Sequence, residues 1–509
     1  MKETLIIAGF GGQGVLSMGK ILAYSGVMQD FEVTWMPSYG PEMRGGTANV
    51  TVILSDRKIS SPIAHEFDTA IILNQQSMEK FEPMVKPGGV LIYDTNGITR
   101  HPVRTDIEVY SIDATAECAK MGQAKLFNTM ILGGYLKVRP VVEMENVMVG
   151  LKKSLPERAW KMLPENEKAI HHGGEIIKKI DVHCGYIHRG AEKMCESMTY
   201  PQTLSLTDRF DYLGAHQNRH ALCMCIEKAM QLEVPARAQY IRTIMDELQR
   251  IDSHLLFYAT MCMDMGGLTP FFYGFRDREM VLDIFEGTTG GRLIQNYNVI
   301  GGVMADLAPD FVEKVKKFIA YLPGVLKEYH AVFTGNVIAQ QRLKGVGVLS
   351  KEDAISYGAT GPTGRASGWA CDVRKVHPYG VYDKVEFKEV IHTEGDSFAR
   401  YMVRMEEILE SLHIIEQLID NIPEGDYAAK TKPIIRLPEG EYFASVEAPR
   451  GEFGAYIESR GDKYPYRMKF RSSCLPLVSV VDPLARGAKI GDLIAIGGSL
   501  DYVVPDVDR

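Results

Sequence analysis

The chain has 509 residues, of which 45% are hydrophobic, and it carries a formal net charge of -8 with a pI near 6.0. At about 100–200 residues per domain, this length predicts roughly two to four domains. The acidic balance offers no basic surface for nucleic acid, and no apolar run approaches the roughly 18 residues of a membrane span. We therefore expect neither nucleic-acid binding nor a transmembrane segment.

The cysteines are scattered along the chain, and none of them forms a C-x-x-C pair. This spacing argues against a thiolate-bound cluster or zinc ion, so we predict no metal ligands. We expect small buried thiols that stay reduced in a cytoplasmic setting. The cysteines are Cys118, Cys184, Cys195, Cys223, Cys225, Cys262, Cys371 and Cys474.

The chain begins with a buried strand pattern at residues 4–9, followed by GFGGQG and an amphipathic helix. Such a turn leaves N–H groups free at the positive end of a helix, where they can hold an anion. A dinucleotide site also needs an acidic residue at the end of the second strand. Trp35 and Met36 stand there instead, so a tight turn for close packing is favoured over NAD binding. The glycines of this turn are Gly9, Gly11, Gly12 and Gly14.

A glycine-rich loop around Arg44 comes next, and further strands are predicted at Thr69–Leu73 and Gly89–Tyr93, separated by a Pro87-Gly88 turn. These elements indicate an α/β domain with a parallel, Rossmann-like sheet. The motifs GFGGQGV and YGPEMRGG resemble the gamma subunit of 2-oxoacid:ferredoxin oxidoreductases over residues 1–170. That resemblance places thiamine diphosphate and iron–sulfur clusters mostly in other subunits. Arg44 and the glycine turn then contact an anionic substrate group or coenzyme A, or else serve as turn and subunit-contact residues.

The gamma-like pattern ends at the polar stretch 164–167, and the seam is predicted near His171–Gly174. Residues 174–181 have the pattern of a strand. Three amphipathic helical patterns follow at Leu206–Met230, Arg237–Leu256 and Met263–Glu279, with Pro235 suited to the start of the second one. Four polar groups interrupt this apolar frame and require partners: His188, Arg189, Tyr212 and Asp264.

These residues lie in motifs that resemble the D subunit, or 49-kilodalton subunit, of complex I, the proton-pumping NADH:quinone oxidoreductase. The match covers residues 174–509. It implies a mainly helical α+β fold like that of the nickel–iron hydrogenase large subunit, with smaller β elements near 380–390 and 442–502. The two metal-binding C-x-x-C pairs of those hydrogenases are absent, which argues against hydrogenase activity. The matching motifs are HRGAEK, LTDRFDYL, EVPARAQYIR, LTPFFYGFRDRE, EAPRGEFG and the tail ending in DVDR.

The resemblance also implies roles for individual residues. Tyr212 corresponds to the tyrosine that hydrogen-bonds a quinone, and Asp264 to the acid that partners a quinone-binding histidine. His188 and Arg189 correspond to the motif that faces the terminal iron–sulfur cluster of a neighbouring subunit. A phenol and an imidazole suit this chemistry because quinone reduction needs two protons at the headgroup oxygens.

Two departures from the family pattern stand out. The G-P-x-H-P-x-x-H-G motif that carries the quinone-binding histidine is absent from the sequence. The family spacing places that histidine near Leu163, so His171 and His172 lie too close to Gly174 to replace it. Ile294 stands where the family often has a histidine close to the cluster. We hypothesise that its loss lowers the cluster potential, which would suit a low-potential quinone such as menaquinone.

The first hypothesis for function is therefore a quinone-pocket-forming subunit of a complex I type enzyme on the cytoplasmic side of the membrane. NAD and the clusters would belong to partner subunits of the peripheral arm. The second hypothesis is a gamma component of a 2-oxoacid:ferredoxin oxidoreductase, assembled with alpha and beta subunits and carrying an appended docking domain. The third is an inert fusion product. Under any of the three, two origins of the chain stay open, namely a natural fusion and two neighbouring reading frames joined in error.

Overall fold

A computed structural model of the protein describes residues 1–39, 47–96, 98–120, 122–174 and 179–509. The chain forms two compact units. The first comprises Met1–Lys179 with Arg486–Ile490, and the second comprises Ile180–Ala485 with Gly491–Arg509. Each unit has its own hydrophobic core. No helix in the described parts of the chain is both long and apolar enough to cross a membrane.

The first unit contains a sheet whose described strands run in the order β2-β3-β1-β4-β5-β6. Strands β1, β4 and β5 are parallel, as predicted, and β6, which was not predicted, is parallel to β5. Strand β3 is antiparallel to both β1 and β2. The all-parallel sheet was therefore wrong. Only residues 40–46 link β2 to β3, whereas a parallel pair needs a crossover of about a dozen residues or more. The strands are β1 (Lys2–Phe10), β2 (Glu32–Tyr39), β3 (Thr47–Ser55), β4 (Phe67–Ile72), β5 (Val85–Asp94) and β6 (Glu108–Ile112).

Helices cover this sheet and complete the first core. Pro87 and Gly88 lie inside β5, not in a turn before it, and Gly88 takes a positive φ of 73°. The polar stretch 164–167 is helical, and so is Gly174, where a strand was expected. The helices are α1 (Val15–Met28), α2 (Gln75–Phe81), α3 (Ala114–Lys120), α4 (Phe127–Val138), α5 (Met144–Ser154) and α6 (Leu163–Gly174).

The second unit is mainly helical, and its longest helix, α10, begins directly after Pro235, as predicted. The predicted helix over 206–230 is divided in two, because residues 208–214 form a turn. Asp211 Oδ1 accepts the backbone N–H of Leu213 there (3.1 Å). In chain order, the first helices of this unit are α7 (Ala191–Cys195), α8 (Tyr200–Thr207), α9 (Ala215–Met230), α10 (Ala236–Asp264), α11 (Leu268–Thr289), α12 (Phe311–Tyr329), α13 (Val337–Leu343) and α14 (Lys351–Tyr357).

The remaining helices and strands close the second unit. Residues 380–390 contain a short 3-10 helix where a β element was expected, whereas the expected strands after 442 are present in an antiparallel sheet. The strands are β7 (Asn298–Val299), β8 (Gly302–Val303), β9 (Gly440–Ala448), β10 (Gly451–Ser459) and β11 (Arg467–Arg471). The helices are α15 (Gly361–Ala366), α16 (Val373–Val376), α17 (Ser397–Ile419), α18 (Cys474–Ser479), α19 (Val481–Ala485), α20 (Ile490–Leu500) and α21 (Val504–Asp508).

Candidate functional site

A buried network of ion pairs fixes the central helices of the second unit. Arg365 of α15 binds Glu407 of α17 (2.6 Å) and Glu447 of β9 (2.7 Å), while Arg374 of α16 binds Glu247 of α10 (3.0 Å). Burial alone would raise the pKa of Glu407, but Arg365, His254 and Arg250 together outweigh burial, so this pKa lies well below its usual range. Breaking such a pair leaves an uncompensated buried charge, which costs about 3–5 kcal/mol. The network therefore sets the position of α10.

Tyr212 lies in the turn between α8 and α9 and is half-buried. Its side chain packs against a hydrophobic cluster to which Leu256 of α10 also packs. That cluster combines the turn with the C-terminal helices, and its buried members are Leu213, Cys474, Val478, Val503 and Val507. The ring of Tyr212 is thus held by apolar contacts beside the last two turns of α10.

Asp264 is the last residue of α10, and it shares one helix face with Leu256 and Thr260. Residues at i, i+4 and i+8 line up along a helix, so this stripe extends for about 12 Å from Leu256 to Asp264. All three side chains are half-buried, whereas residues 257–259, 261 and 262 between them are buried. The side of α10 that contributes Leu256 to the Tyr212 cluster therefore leads along the helix to Asp264.

The carboxylate of Asp264 has no hydrogen bond or ion pair within residues 179–509 as the structure describes them. Gly498 of α20 lies close to this carboxylate, because a Cβ added there would lie 3.0 Å from Asp264 Oδ2. Burial raises the pKa of Asp264, and no neighbouring cation opposes this shift. The pKa of Asp264 therefore lies above that of an exposed aspartate, and the described residues of the second unit give its carboxylate no fixed partner.

The HRG loop (residues 183–190) is held by the C-terminal tail of the chain. The carboxylate of Asp508, which is buried, accepts the N–H groups of Gly185 (2.7 Å) and Ile187 (3.0 Å). Nδ1 of His188 donates to the backbone carbonyl of Asp508. This bond fixes the tautomer of His188 and leaves its other nitrogen facing away from the tail.

Arg189 extends from the same loop into solvent. In the described part of the chain it forms no hydrogen bond or ion pair, and its neighbour Tyr186 is 88% exposed. A loop with a fixed backbone, a free guanidinium and an exposed aromatic ring has the composition of a protein interface. The loop is preorganised by Asp508, although nothing within the described second unit covers it.

The glycine turn of the first unit leads into α1. Gly12 and Gly14 have positive φ angles of 101° and 77°, and a Cβ on Gly9 would meet Gln13 Oε1 at 2.6 Å. The turn and Gly11 lie between β1 and α1, next to an open cleft of about 410 Å³. Arg44 lies outside the described residues. The cleft is lined by Gly12, Gln13, Gly14, Thr115, Cys118, Ala124, Lys125, Phe127 and Asn128.

Tyr212 thus packs against the cluster that Leu256 of α10 also joins, and Asp264 ends the same helix, whereas His188 and Arg189 lie in a separate exposed loop. Sequence reasoning did not identify Gly498 or Asp508 as site residues. Both lie in the C-terminal motif on which the family resemblance partly rests. The sequence shows that motif, but it does not show which residues Gly498 and Asp508 contact. Among the described residues, no group of three or more His, Cys, Asp or Glu side chains is arranged to hold a metal ion.

Comparison with known protein families defines the class of the second unit. The sequence profile described as "Respiratory-chain NADH dehydrogenase, 49 Kd subunit" matches residues 264–436 and 431–509. The profile described as "Pyruvate ferredoxin/flavodoxin oxidoreductase" matches residues 4–176. Both family resemblances seen in the sequence are therefore confirmed.

Individual relatives make the assignment more specific. The D subunit of NADH-quinone oxidoreductase from Bacillus mycoides is 44% identical over 336 residues, which are 66% of this chain and 92% of that relative. The chain therefore belongs to the family of NADH-quinone oxidoreductase D subunits. The C/D subunit of the Phocaeicola vulgatus enzyme is 79% identical, and that of Bacteroides fragilis 75%, each over 66% of this chain. The match spans 65% and 63% of the lengths of these two relatives.

Proposed function

We propose that the chain is a quinone-pocket-forming subunit of a proton-translocating NADH:quinone oxidoreductase of the complex I type. Electrons would arrive from an iron–sulfur cluster in a neighbouring subunit of the peripheral arm. NAD and the clusters would be held by those partners, and this chain would lie on the cytoplasmic side of the membrane as a peripheral component. Its own contribution would be a pocket wall and the residues that deliver protons to the headgroup.

The observation that supports this proposal is that Tyr212 packs against the same hydrophobic cluster as Leu256, which precedes Asp264 on α10. Reduction of a quinone to a quinol adds two electrons and two protons, so the pocket needs proton donors at both headgroup oxygens. The Tyr212 hydroxyl can donate a hydrogen bond to one oxygen. Asp264, whose pKa is raised by burial, can hold a proton for the other. The half-buried stripe between them is apolar at Leu256, which suits a quinone ring.

The HRG loop supports the second part of the proposal, which is contact with the electron donor. Arg189 is free to face a partner, and Asp508 holds the backbone around it. Positive charge close to a cluster stabilises the added electron and raises the reduction potential. His188 and Arg189 would therefore tune the cluster of the neighbouring subunit without binding it.

The absent histidine motif limits how well this pocket can work. In the family the histidine stands between Asp264 and the quinone, so this chain has a carboxyl group where a carboxylate–imidazole pair is usual. Asp264 would then reach the quinone directly or through water. We expect slow quinone reduction unless a partner subunit supplies an imidazole.

Co-purification from native membranes tests the proposed function. Membrane-arm and cluster-carrying subunits bound to this chain would support it, whereas thiamine-binding subunits would favour the 2-oxoacid:ferredoxin oxidoreductase. Mass spectrometry should also find a peptide that spans Glu165–Lys178. If the two halves occur only as separate chains, or if no partner is retained, the fused protein has no such function.

The cleft of the first unit favours a second candidate function, namely binding of the phosphate groups of coenzyme A. The cleft combines the N-terminus of α1, Lys125 and the amide of Asn128 beside the glycine turn. Anions bind at such helix termini because N–H groups and the helix dipole point at them. Burial raises the pKa of Cys118 to about 11, so its thiol stays neutral beside a bound anion.

Calorimetric titration of the full chain with coenzyme A tests this second candidate. Gly14→Ala should abolish binding, because a Cβ at that position would lie 2.8 Å from Asn128 Cβ and φ is positive. Gly88→Ala is the matched control: its φ is also positive, but no atom lies within 4 Å of the added Cβ. Equal affinities of the wild type and the Gly14→Ala variant would rule out this cleft.

A further inference from the structure

We propose that Arg450 is a positioning residue that fixes the Tyr212 turn and the C-terminal tail against α10, and so sets the affinity of the pocket for quinone. This inference rests on the proposed function. Arg450 belongs to the EAPRGEFG motif, and the family resemblance assigned no individual role to it. It lies in the tight connection between β9 and β10, and its side chain is 1% exposed.

The guanidinium of Arg450 joins three separate elements. Nη1 lies 3.1 Å from Asp211 Oδ2 and 3.0 Å from Ser253 Oγ of α10. Nη2 lies 3.0 Å from Asp501 Oδ1, and Nε donates to the backbone carbonyl of Asp501. The guanidinium therefore binds Asp211, which precedes Tyr212, and Ser253, which lies on the helix that ends at Asp264. It also binds Asp501, which follows α20.

The turn that presents Tyr212 depends on Asp211. Its carboxylate accepts the N–H of Leu213, and its backbone carbonyl accepts the N–H of Gly214 (3.0 Å). A Cβ on Gly214 would lie 3.0 Å from Asp211 Oδ2 and 3.1 Å from Pro449 Cδ, so the turn packs closely on the β9–β10 connection. Because Tyr212 lies between these anchored residues, displacement of Asp211 moves its ring.

The tail depends on Asp501 in the same way. Asp501 takes a positive φ of 59°, an unusual conformation for a residue other than glycine. Arg450 binds both its carboxylate and its carbonyl, and this holds the backbone where α20 ends. Gly498, which limits the space at Asp264, lies three residues earlier. Arg450 thus reaches both sides of the proposed pocket through partners that are not themselves proton donors.

Arginine is required for this role because its planar fork satisfies partners in several directions at once. A lysine keeps the charge but presents one ammonium, which cannot span Asp211 and Asp501 together. Arg450→Lys therefore separates the loss of geometry from the loss of charge. Arg242→Lys is the matched control. Arg242 is also buried and binds the carboxylate of Glu227 through two bonds of 3.0 and 2.7 Å.

The experiment compares the wild type, Arg450→Lys and Arg242→Lys in the assembled complex, and the same purified full chains by hydrogen–deuterium exchange. For Arg450→Lys we expect the KM for a short-chain quinone to rise about tenfold while kcat changes less than about twofold. Exchange of the Leu213 and Gly214 amides should accelerate about tenfold. Arg242→Lys should change neither value. If Arg450→Lys does not fold, Arg450→Gln in the same assays replaces it.

Unchanged KM and unchanged exchange at Leu213 and Gly214 would overturn the inference. It would also be overturned if Arg450→Lys lowered kcat alone with faster exchange throughout the second unit, because that pattern indicates a general loss of stability. A wild-type chain that shows no quinone turnover in any complex would reject the proposed function instead. In that case, faster exchange confined to the 211–214 turn would still support Arg450 as its anchor.

Discussion

The two ends of the proposed pocket differ in how the fold supports them. Tyr212 lies in a turn that Arg450 ties to α10 and to the tail, and its ring packs into a hydrophobic cluster. Asp264 lies only two helical turns from Leu256, yet no side chain of the described second unit binds its carboxylate. Gly498 of α20 lies close to it, because a Cβ built on Gly498 would lie 3.0 Å from Asp264 Oδ2.

This difference indicates which part of the chemistry the chain can complete on its own. A positioned hydroxyl at Tyr212 gives affinity and orientation. A proton donor that lacks its relay partner gives a slow second proton transfer. We therefore expect quinone binding to depend on the Tyr212 side and turnover to depend on the Asp264 side.

The largest effect is expected from restoring the missing histidine. A variant that lacks residues 1–170 and carries a G-P-x-H-P-x-x-H-G strand ahead of Gly174 should reduce quinone about 10²–10⁴-fold faster than the natural chain, because general acid–base groups contribute that much. The assay uses complexes that lack their own 49-kilodalton subunit. If the unmodified chain already matches the graft, the histidine is dispensable and the view that Asp264 needs such a partner is wrong.

Filling the space beside Asp264 should lower turnover by about tenfold. In Gly498→Ala the new Cβ lies 3.0 Å from Asp264 Oδ2 and 3.3 Å from Met261 Sδ, so the carboxyl group must shift. Alanine also favours a helix by about 1 kcal/mol relative to glycine, so the melting temperature should not fall. In the control Gly497→Ala, the Cβ meets only Tyr502 Oη at 3.5 Å. Equal kcat in the two variants would mean that Asp264 does not act in turnover.

Removing the Tyr212 hydroxyl should weaken quinone binding by about two- to tenfold. Tyr212→Phe keeps the ring in its cluster and loses one hydrogen bond, worth about 0.5–1.5 kcal/mol. The rise should appear in the KM for short-chain quinones, with expression and thermal stability unchanged. Wild-type kinetics in this variant would assign Tyr212 to the hydrophobic core alone.

The smallest effect is expected in the exposed loop. Arg189→Ala removes a solvent-exposed charge whose interaction is worth about 0.2–1 kcal/mol, so electron delivery should slow by at most about fivefold. The potential of the neighbouring cluster should fall, because less positive charge faces the added electron. Redox titration followed by electron paramagnetic resonance measures this shift. An unchanged potential and unchanged turnover would place Arg189 away from the cluster.

The sequence predicted the parts of the fold that depend on local patterns. Pro235 marked the start of α10, and the apolar spacing along it was visible, as were the strands that became β4 and β5. The structure divides the predicted 206–230 helix in two. The sequence did not predict this division, because apolar residues keep a helical spacing on both sides of Asp208 and Asp211. Those carboxylates are held by Asn296 and Arg450, which are distant in the chain.

The site was predicted only as far as its motifs allowed. Tyr212, Asp264, His188 and Arg189 were identified from the family resemblance, but their supports were not. Asp508 supports the HRG loop through hydrogen bonds to residues more than 300 positions away in the sequence. Gly498 matters because it has no side chain, which leaves space for the Asp264 carboxylate. Neither kind of information is present in local spacing. The antiparallel direction of β3 could have been predicted, because residues 40–46 are too few for the crossover that a parallel pair with β2 needs.

Photolabelling with an azido-quinone is the most direct test of the claim that this chain forms a quinone pocket. The label is applied to the native assembled complex, with and without excess unlabelled quinone, and the modified peptides are located by mass spectrometry. The account predicts competed labelling within residues 206–213 and 256–270, around Tyr212 and Asp264. Competed labelling that falls only elsewhere, either in another subunit or in the first unit of this chain, would contradict it.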